Sequence, residues 1–144
     1  MQTRMYRNQH TEITRLGNEL LKLCVTSQPK EIRLKLAKLA GSVKIHLAIE
    51  DQALYPKMMA HPDAKIRNLA TRYQDEMGEL AKMFTAMYAR WSPLGNIEHD
   101  RAGFGRDFGT VWSALVERME KEDGDLYDIV DRKVELAPIR TAAS

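Results

Sequence analysis

His46 and Glu50 are four residues apart in a segment that reads as helix, so an imidazole and a carboxylate project from one helix face a single turn apart. Such a pair can bind a metal ion. By itself the spacing is a weak signal, because many helices carry it on a solvated surface. The chemistry therefore depends on whether His46 and Glu50 point inward and on what they meet there.

The elements that must position this pair are amphipathic helices. Apolar residues recur every three or four positions over residues 4–24, 30–54, 63–91 and 104–129. Turn residues separate these segments at Pro29, at His61-Pro62-Asp63 and at 92–96, and residues 97–103 read as a connector. We therefore expect an all-α, antiparallel up-down-up-down four-helix bundle over residues 1–136, followed by a frayed tail at 137–144.

Several polar residues occupy positions on the apolar stripes and should meet at one level of this bundle. His10 and His46 are equally distant from the first turn, and the same reasoning brings Met77 and Arg118 to their level. The residues expected to converge are His10, His46, Glu50, Met77, Arg118 and Glu122. Two buried carboxylates need a cation nearby, which Arg118, a divalent metal or both would supply.

These residues resemble the hemerythrin-like family, also known as HHE cation-binding domains. The resemblance covers nearly the whole chain and depends on His10, on His46-x-x-x-Glu50 and on the repeat Glu-Asp-x-x-Leu-Tyr at 50–55 and 122–127. Family members with a full ligand set hold two irons bridged by carboxylates. The resemblance therefore implies a non-haem metal centre inside the bundle.

The chain departs from the family pattern at two positions. The third-helix histidine is replaced by Met77 and the fourth-helix histidine by Arg118, so both imidazoles that would hold a second iron are missing. A guanidinium about 4 Å from a divalent ion is repelled by roughly 8 kcal/mol at an effective dielectric constant of 20. A complete diiron centre is therefore not expected.

The sequence favours one metal ion held by His10, His46, Glu50 and Glu122, with Arg118, Met77 and Tyr73 beside it. Two imidazoles with carboxylates suit iron, zinc or manganese, and the resemblance to the hemerythrin-like family favours iron. We expect the ion to bind a small diatomic ligand, in sensing or handling oxygen, nitric oxide or iron. The alternative is a metal-free bundle that acts as a regulatory protein-interaction module, with Arg118 paired to Glu50 and Glu122 in place of the metal.

Composition narrows the function classes further. The 22 basic and 20 acidic residues nearly balance, which gives no indication of a nucleic-acid or membrane partner. Cys24 is the single cysteine, and the first 20 residues lack the apolar region of a signal peptide, so we expect a cytoplasmic protein. No nucleophile motif or phosphate loop is present, and a binding role is favoured over an enzymatic one. Trp91, Met87 and Trp112 would serve a protein partner if they were exposed.

Overall fold

The computed structural model describes residues 2–136, which form four long helical rods joined by short turns. The predicted tail at 137–144 lies outside these residues. The elements are α1 (Arg4–Thr26), α2 (Pro29–Ile49), α3 (Tyr55–Met59), α4 (Ala64–Trp91), α5 (Asn96–His99), α6 (Arg101–Lys121) and α7 (Tyr127–Lys133). Residues 29–59 and 101–133 are each one continuous rod, so the predicted all-α bundle is confirmed.

Two of the rods contain a π-helical turn. These turns are Glu50–Leu54, between α2 and α3, and Glu122–Leu126, between α6 and α7. In each turn a backbone N–H donates five residues back, from Tyr55 to Glu50 and from Tyr127 to Glu122. Pro56 favours the wider turn in the first rod because it has no N–H to donate to residue 52. The widened turn brings two successive residues, Leu54 and Tyr55, into the core.

The connector predicted at 97–103 is shorter than expected and partly helical. Helix α5 occupies Asn96–His99, and α6 already begins at Arg101. The Asp100 carboxylate caps α6 by accepting a hydrogen bond from the Gly103 N–H at 2.9 Å. A Cβ atom on residue 103 would overlap this carboxylate, so Gly103 serves the cap and does not weaken the helix.

The apolar core consists of two clusters with a polar layer between them. One cluster extends from Ile13 and Val43 to the turns near Pro29 and Ile97, and the other surrounds Leu126 at the opposite end. His10, His46, Glu50, Arg118 and Glu122 are buried between the two clusters.

The sequence raised two questions about partners: whether three large side chains are exposed, and whether any helix could cross a membrane. Trp91, Met87 and Trp112 are buried in the larger cluster, so they are not exposed contacts for another protein. Within the described residues, none of the helices has the length and apolar character needed to cross a bilayer.

The close approach of Gly17 on α1 to Trp112 on α6 predicts a test of this packing. A Cβ atom at residue 17 would overlap the indole ring, so we expect Gly17→Ala to lower the free energy of unfolding by about 1–3 kcal/mol. Gly41 faces open space, and Gly41→Ala should instead raise it by about 0.5–1 kcal/mol. Urea unfolding of both variants checks the pair. Equal effects of the two substitutions would contradict the predicted contact.

Candidate metal centre

Two histidines and two glutamates from four elements come together in the polar layer. His10 lies on α1, His46 lies in the last turn of α2, and Glu50 and Glu122 are the first residues of the two π-helical turns. All four side chains are buried, with 4% or less of each residue exposed. The structure therefore brings together the four residues that the sequence predicts as metal ligands.

Glu122 and the two imidazoles form the tightest part of this group. The Nε2 atoms of His10 and His46 are 2.9 Å apart. Glu122 Oε1 lies 3.0 Å from Nε2 of His10 and 3.8 Å from Nε2 of His46. One ligand atom from each of these three residues lies within 4.8 Å of the others, so a single ion could contact all three.

Glu50 also contacts His46, and a hydrogen bond from Tyr127 fixes the orientation of the Glu50 carboxylate. Glu50 Oε1 is 3.2 Å from His46 Nε2, and the Tyr127 hydroxyl donates to Glu50 Oε2 at 2.7 Å. The same hydroxyl lies 3.3 Å from His10 Nε2 and 3.4 Å from His46 Nε2. Helical periodicity alone predicts no role for Tyr127. The repeated Glu-Asp-x-x-Leu-Tyr segment contained the signal, because Tyr127 follows the second π-helical turn.

The outward-facing nitrogens of both imidazoles also have partners that the sequence analysis missed. His10 Nδ1 lies 2.9 Å from Asp123 Oδ1, and His46 Nδ1 lies 2.6 Å from Gln9 Oε1. Gln9 and Asp123 are each adjacent in sequence to a predicted ligand, His10 or Glu122. Both partners are partly exposed, which is why the apolar period gave no indication of them.

Arg118 is buried beside the cluster, but its partners differ from those expected. Its Nη1 is 2.7 Å from Glu76 Oε2, and its Nε is 3.5 Å from Glu122 Oε2. Within the described residues it forms no ion pair with Glu50, so the expected Arg118–Glu50 pair is wrong. Glu122 thus has one carboxylate oxygen beside the histidines and the other beside the guanidinium.

Tyr73 and Met77 lie on the Arg118 side of the layer. The Tyr73 ring is 4.1 Å from the Arg118 guanidinium carbon, which is a cation–π contact, and the Tyr73 carbonyl accepts from Arg118 Nη2. The Tyr73 hydroxyl donates to the Lys121 carbonyl at 3.4 Å and not to a carboxylate of the cluster. Met77 packs in the larger apolar cluster.

Burial and neighbouring charges shift the pKa values of Glu50 and Glu122 in opposite directions. Burial, reinforced by the negative charge of Glu122, raises the pKa of Glu50. Burial would also raise the pKa of Glu122, but hydrogen bonds and charge from His10 and His46 outweigh it and lower that pKa to about 2. Burial lowers the pKa of His46, and its contacts with Glu122 and Glu50 overcome this and raise it to about 9. Burial thus favours the neutral form of Glu50, while Glu122 stays ionised beside a protonated His46, and a bound cation would take the place of that proton.

The spacing and chemistry of these donors fit a metal ion. Ligand atoms about 2.1 Å from an ion are about 3.0 Å apart in an octahedral shell and about 3.4 Å apart in a tetrahedral one. The separations of 2.9, 3.0 and 3.2 Å are close to these values, whereas the 3.8 Å between Glu122 Oε1 and His46 Nε2 is longer than either. Among the described residues, Glu50 Oε1 and Glu122 Oε2 accept no well-formed hydrogen bond, although His46 Nε2 lies 3.2 Å from the first and Arg118 Nε 3.5 Å from the second.

An all-α bundle with a buried group of two histidines and two carboxylates defines a class of cation-binding four-helix proteins. The family model described as hemerythrin HHE cation binding domain matches residues 1–130. The chain belongs to this family. Comparisons with curated proteins and with solved structures found no significant match.

The two carboxylates that contact Arg118 should differ sharply in their contribution to stability. Glu122 is buried and Glu76 is half exposed, so Glu122→Gln should cost about 3 kcal/mol or more and Glu76→Gln less than about 1 kcal/mol. Chemical denaturation of both variants in the presence of a chelator measures the free energy of unfolding without metal. A larger loss of unfolding free energy for Glu76→Gln than for Glu122→Gln would show that the buried Arg118–Glu122 contact contributes less to stability than the half-exposed Arg118–Glu76 pair.

Proposed function

We propose that this protein binds one non-haem metal ion through His10, His46, Glu122 and Glu50. The observation that supports this most directly is the mutual spacing of His10 Nε2, His46 Nε2 and Glu122 Oε1, which all lie within 4.8 Å of one another in a buried layer. Glu50 Oε1 is a fourth donor next to His46. Membership in a cation-binding family agrees with this assignment.

Iron is the metal that we infer, with zinc and manganese as weaker candidates. Two imidazoles combined with carboxylates are typical of non-haem Fe(II) sites that keep coordination positions open. A bound iron would supply such a position for a small diatomic ligand. The function that follows is sensing or handling of oxygen, nitric oxide or iron, which we place in the cytoplasm because Cys24 is a free thiol.

The site is proposed to hold a single ion because Arg118 occupies the other side of Glu122. The guanidinium keeps its charge at any physiological pH and repels a second cation near Glu122 Oε2. Met77 offers a thioether where the family pattern has an imidazole, and a soft sulfur is a poor partner for hard carboxylates.

A metal-free regulatory module remains the alternative function, and the contacts of Arg118 favour it. Arg118 has Glu76 at 2.7 Å and Glu122 at 3.5 Å, so the chain contains a cation of its own beside the buried carboxylates. In this case the protein would act by binding another protein. The two functions differ in whether the purified chain retains metal.

Elemental analysis of the purified, untagged protein tests the metal function directly. We expect about one iron per chain, and we expect His46→Ala to lose it because one of the two imidazole ligands is removed. His99→Ala is the matched control, since His99 is exposed on α5 and should leave the metal content unchanged. No bound metal, together with thermal stability that does not respond to added iron, zinc or manganese, would favour the interaction module.

The single-ion proposal predicts what restoring the missing histidines should do. Arg118→His removes the repelling charge and supplies an imidazole, and adding Met77→His supplies the other one. We expect metal content per chain to rise in the double variant, with Arg118→His alone giving a partial rise. Arg118→Met, which removes the charge without adding a ligand, is the control and should not increase it. Unchanged stoichiometry in the double variant would refute this account of the site.

A further inference from the structure

The two imidazoles are held in one specific orientation by acceptors behind them. Asp123 Oδ1 and Gln9 Oε1 face the Nδ1 atoms of His10 and His46 at 2.9 and 2.6 Å. A carboxylate oxygen and an amide oxygen can only accept hydrogen bonds, so each Nδ1 must carry the hydrogen. The two Nε2 atoms face each other at hydrogen-bond distance, 2.9 Å, so the proton between them must leave before both lone pairs can bind a cation.

We propose that Asp123 and Gln9 are positioning residues that fix the tautomer and ring orientation of the two metal-binding histidines. The inference rests on the proposed metal function and extends it to residues that do not touch the ion. In metal sites generally, such outer hydrogen bonds change metal affinity by about 10- to 100-fold.

Both positioning residues are adjacent in sequence to proposed metal ligands. Asp123 follows Glu122 in the second π-helical turn, so one turn supplies a carboxylate for the ion and another for His10. Arg7 Nη1 donates to the Asp123 carbonyl at 3.0 Å and ties this turn to α1. Gln9 precedes His10 on α1 and reaches across to His46 on α2. Each histidine is thus oriented by a residue from a different helical rod.

The two histidines should not be equal ligands, because their partners differ in charge. A hydrogen bond to a charged carboxylate is about twice as strong as one to a neutral amide, so Asp123 should hold the His10 ring more firmly than Gln9 holds the His46 ring. Loss of the Asp123 side chain should then weaken metal binding more than loss of the Gln9 side chain. Gln9→Glu, which places a carboxylate behind His46 as well, should strengthen it.

The chain provides a matched control for charge. Asp51 follows Glu50 in the first π-helical turn, as Asp123 follows Glu122 in the second. Asp51 is exposed, and among the described residues its side chain makes no hydrogen bond or ion pair. Removing Asp51 deletes the same charge at the equivalent place without touching a histidine.

The experiment measures Zn²⁺ affinity of the full chain by competition with a chromophoric chelator. We expect Asp123→Ala to weaken binding by about 10- to 100-fold, Gln9→Ala by less, and Asp51→Ala by no more than about twofold. Asp123→Asn keeps an acceptor oxygen and should recover part of the loss. Equal losses in Asp123→Ala and Asp51→Ala would overturn the positioning role, since charge alone would then explain both.

Nitrogen-15 NMR of histidine-labelled protein separates this inference from the proposed function. Hydrogen on Nδ1 of His10 should be present in the unsubstituted protein and lose its protection from exchange in Asp123→Ala, while His46 is unaffected. The signal can be recorded with or without Zn²⁺. If the unsubstituted chain binds no metal, the proposed function fails, whereas a His10 that carries its hydrogen on Nε2 alone overturns the positioning role whether or not metal binds.

Discussion

Two carboxylates in a dry interior need positive charge within a few ångströms, and the rest of this structure depends on how that need is met. Glu50 and Glu122 are almost completely buried, where an unpaired ionised carboxylate is strongly unfavourable. The two glutamates differ in how their charge is compensated. His10 and His46 keep the pKa of Glu122 low, while Glu50 has a raised pKa and takes its hydrogen bond from the Tyr127 hydroxyl. Glu50 is therefore the carboxylate with the most to gain from a bound cation.

The apolar clusters on either side allow the polar layer to keep its geometry. Packed side chains above and below hold the four rods in register and keep the two Nε2 atoms 2.9 Å apart. Ligands that are already in place lose little conformational entropy when they bind. The cost of this arrangement falls on folding, which must bury His10, His46 and two glutamates. The apolar contacts of both clusters offset that cost.

Sequence alone predicts which four residues converge: His10, His46, Glu50 and Glu122. Helical periodicity determines which side chains point into the bundle, and equal distance from a turn determines which positions on neighbouring helices lie at the same height. The π-helical turns could not be predicted in this way. They depend on whether a backbone N–H donates to the carbonyl four or five residues back, which a 3.6-residue period does not describe. Tyr127 and Asp123 acquire their places from one of these turns, so their roles were missed. Of the two partners predicted for Arg118, Glu122 is found and Glu50 is not, because a long side chain can reach several carboxylates and periodicity does not say that Glu76 is nearer than Glu50.

Arg118 and the proposed metal ion are two cations with different properties on either side of Glu122. The guanidinium is covalently attached and does not lose its proton in proteins, so the charge near Glu122 Oε2 is permanent. A metal ion beside Glu122 Oε1 can arrive, leave or change its oxidation state. Because the permanent cation stabilises one half of the layer, the bundle does not need metal to neutralise Glu122. Under the proposed function, loss of the metal ion should therefore not unfold the bundle, because Arg118 stays beside Glu122.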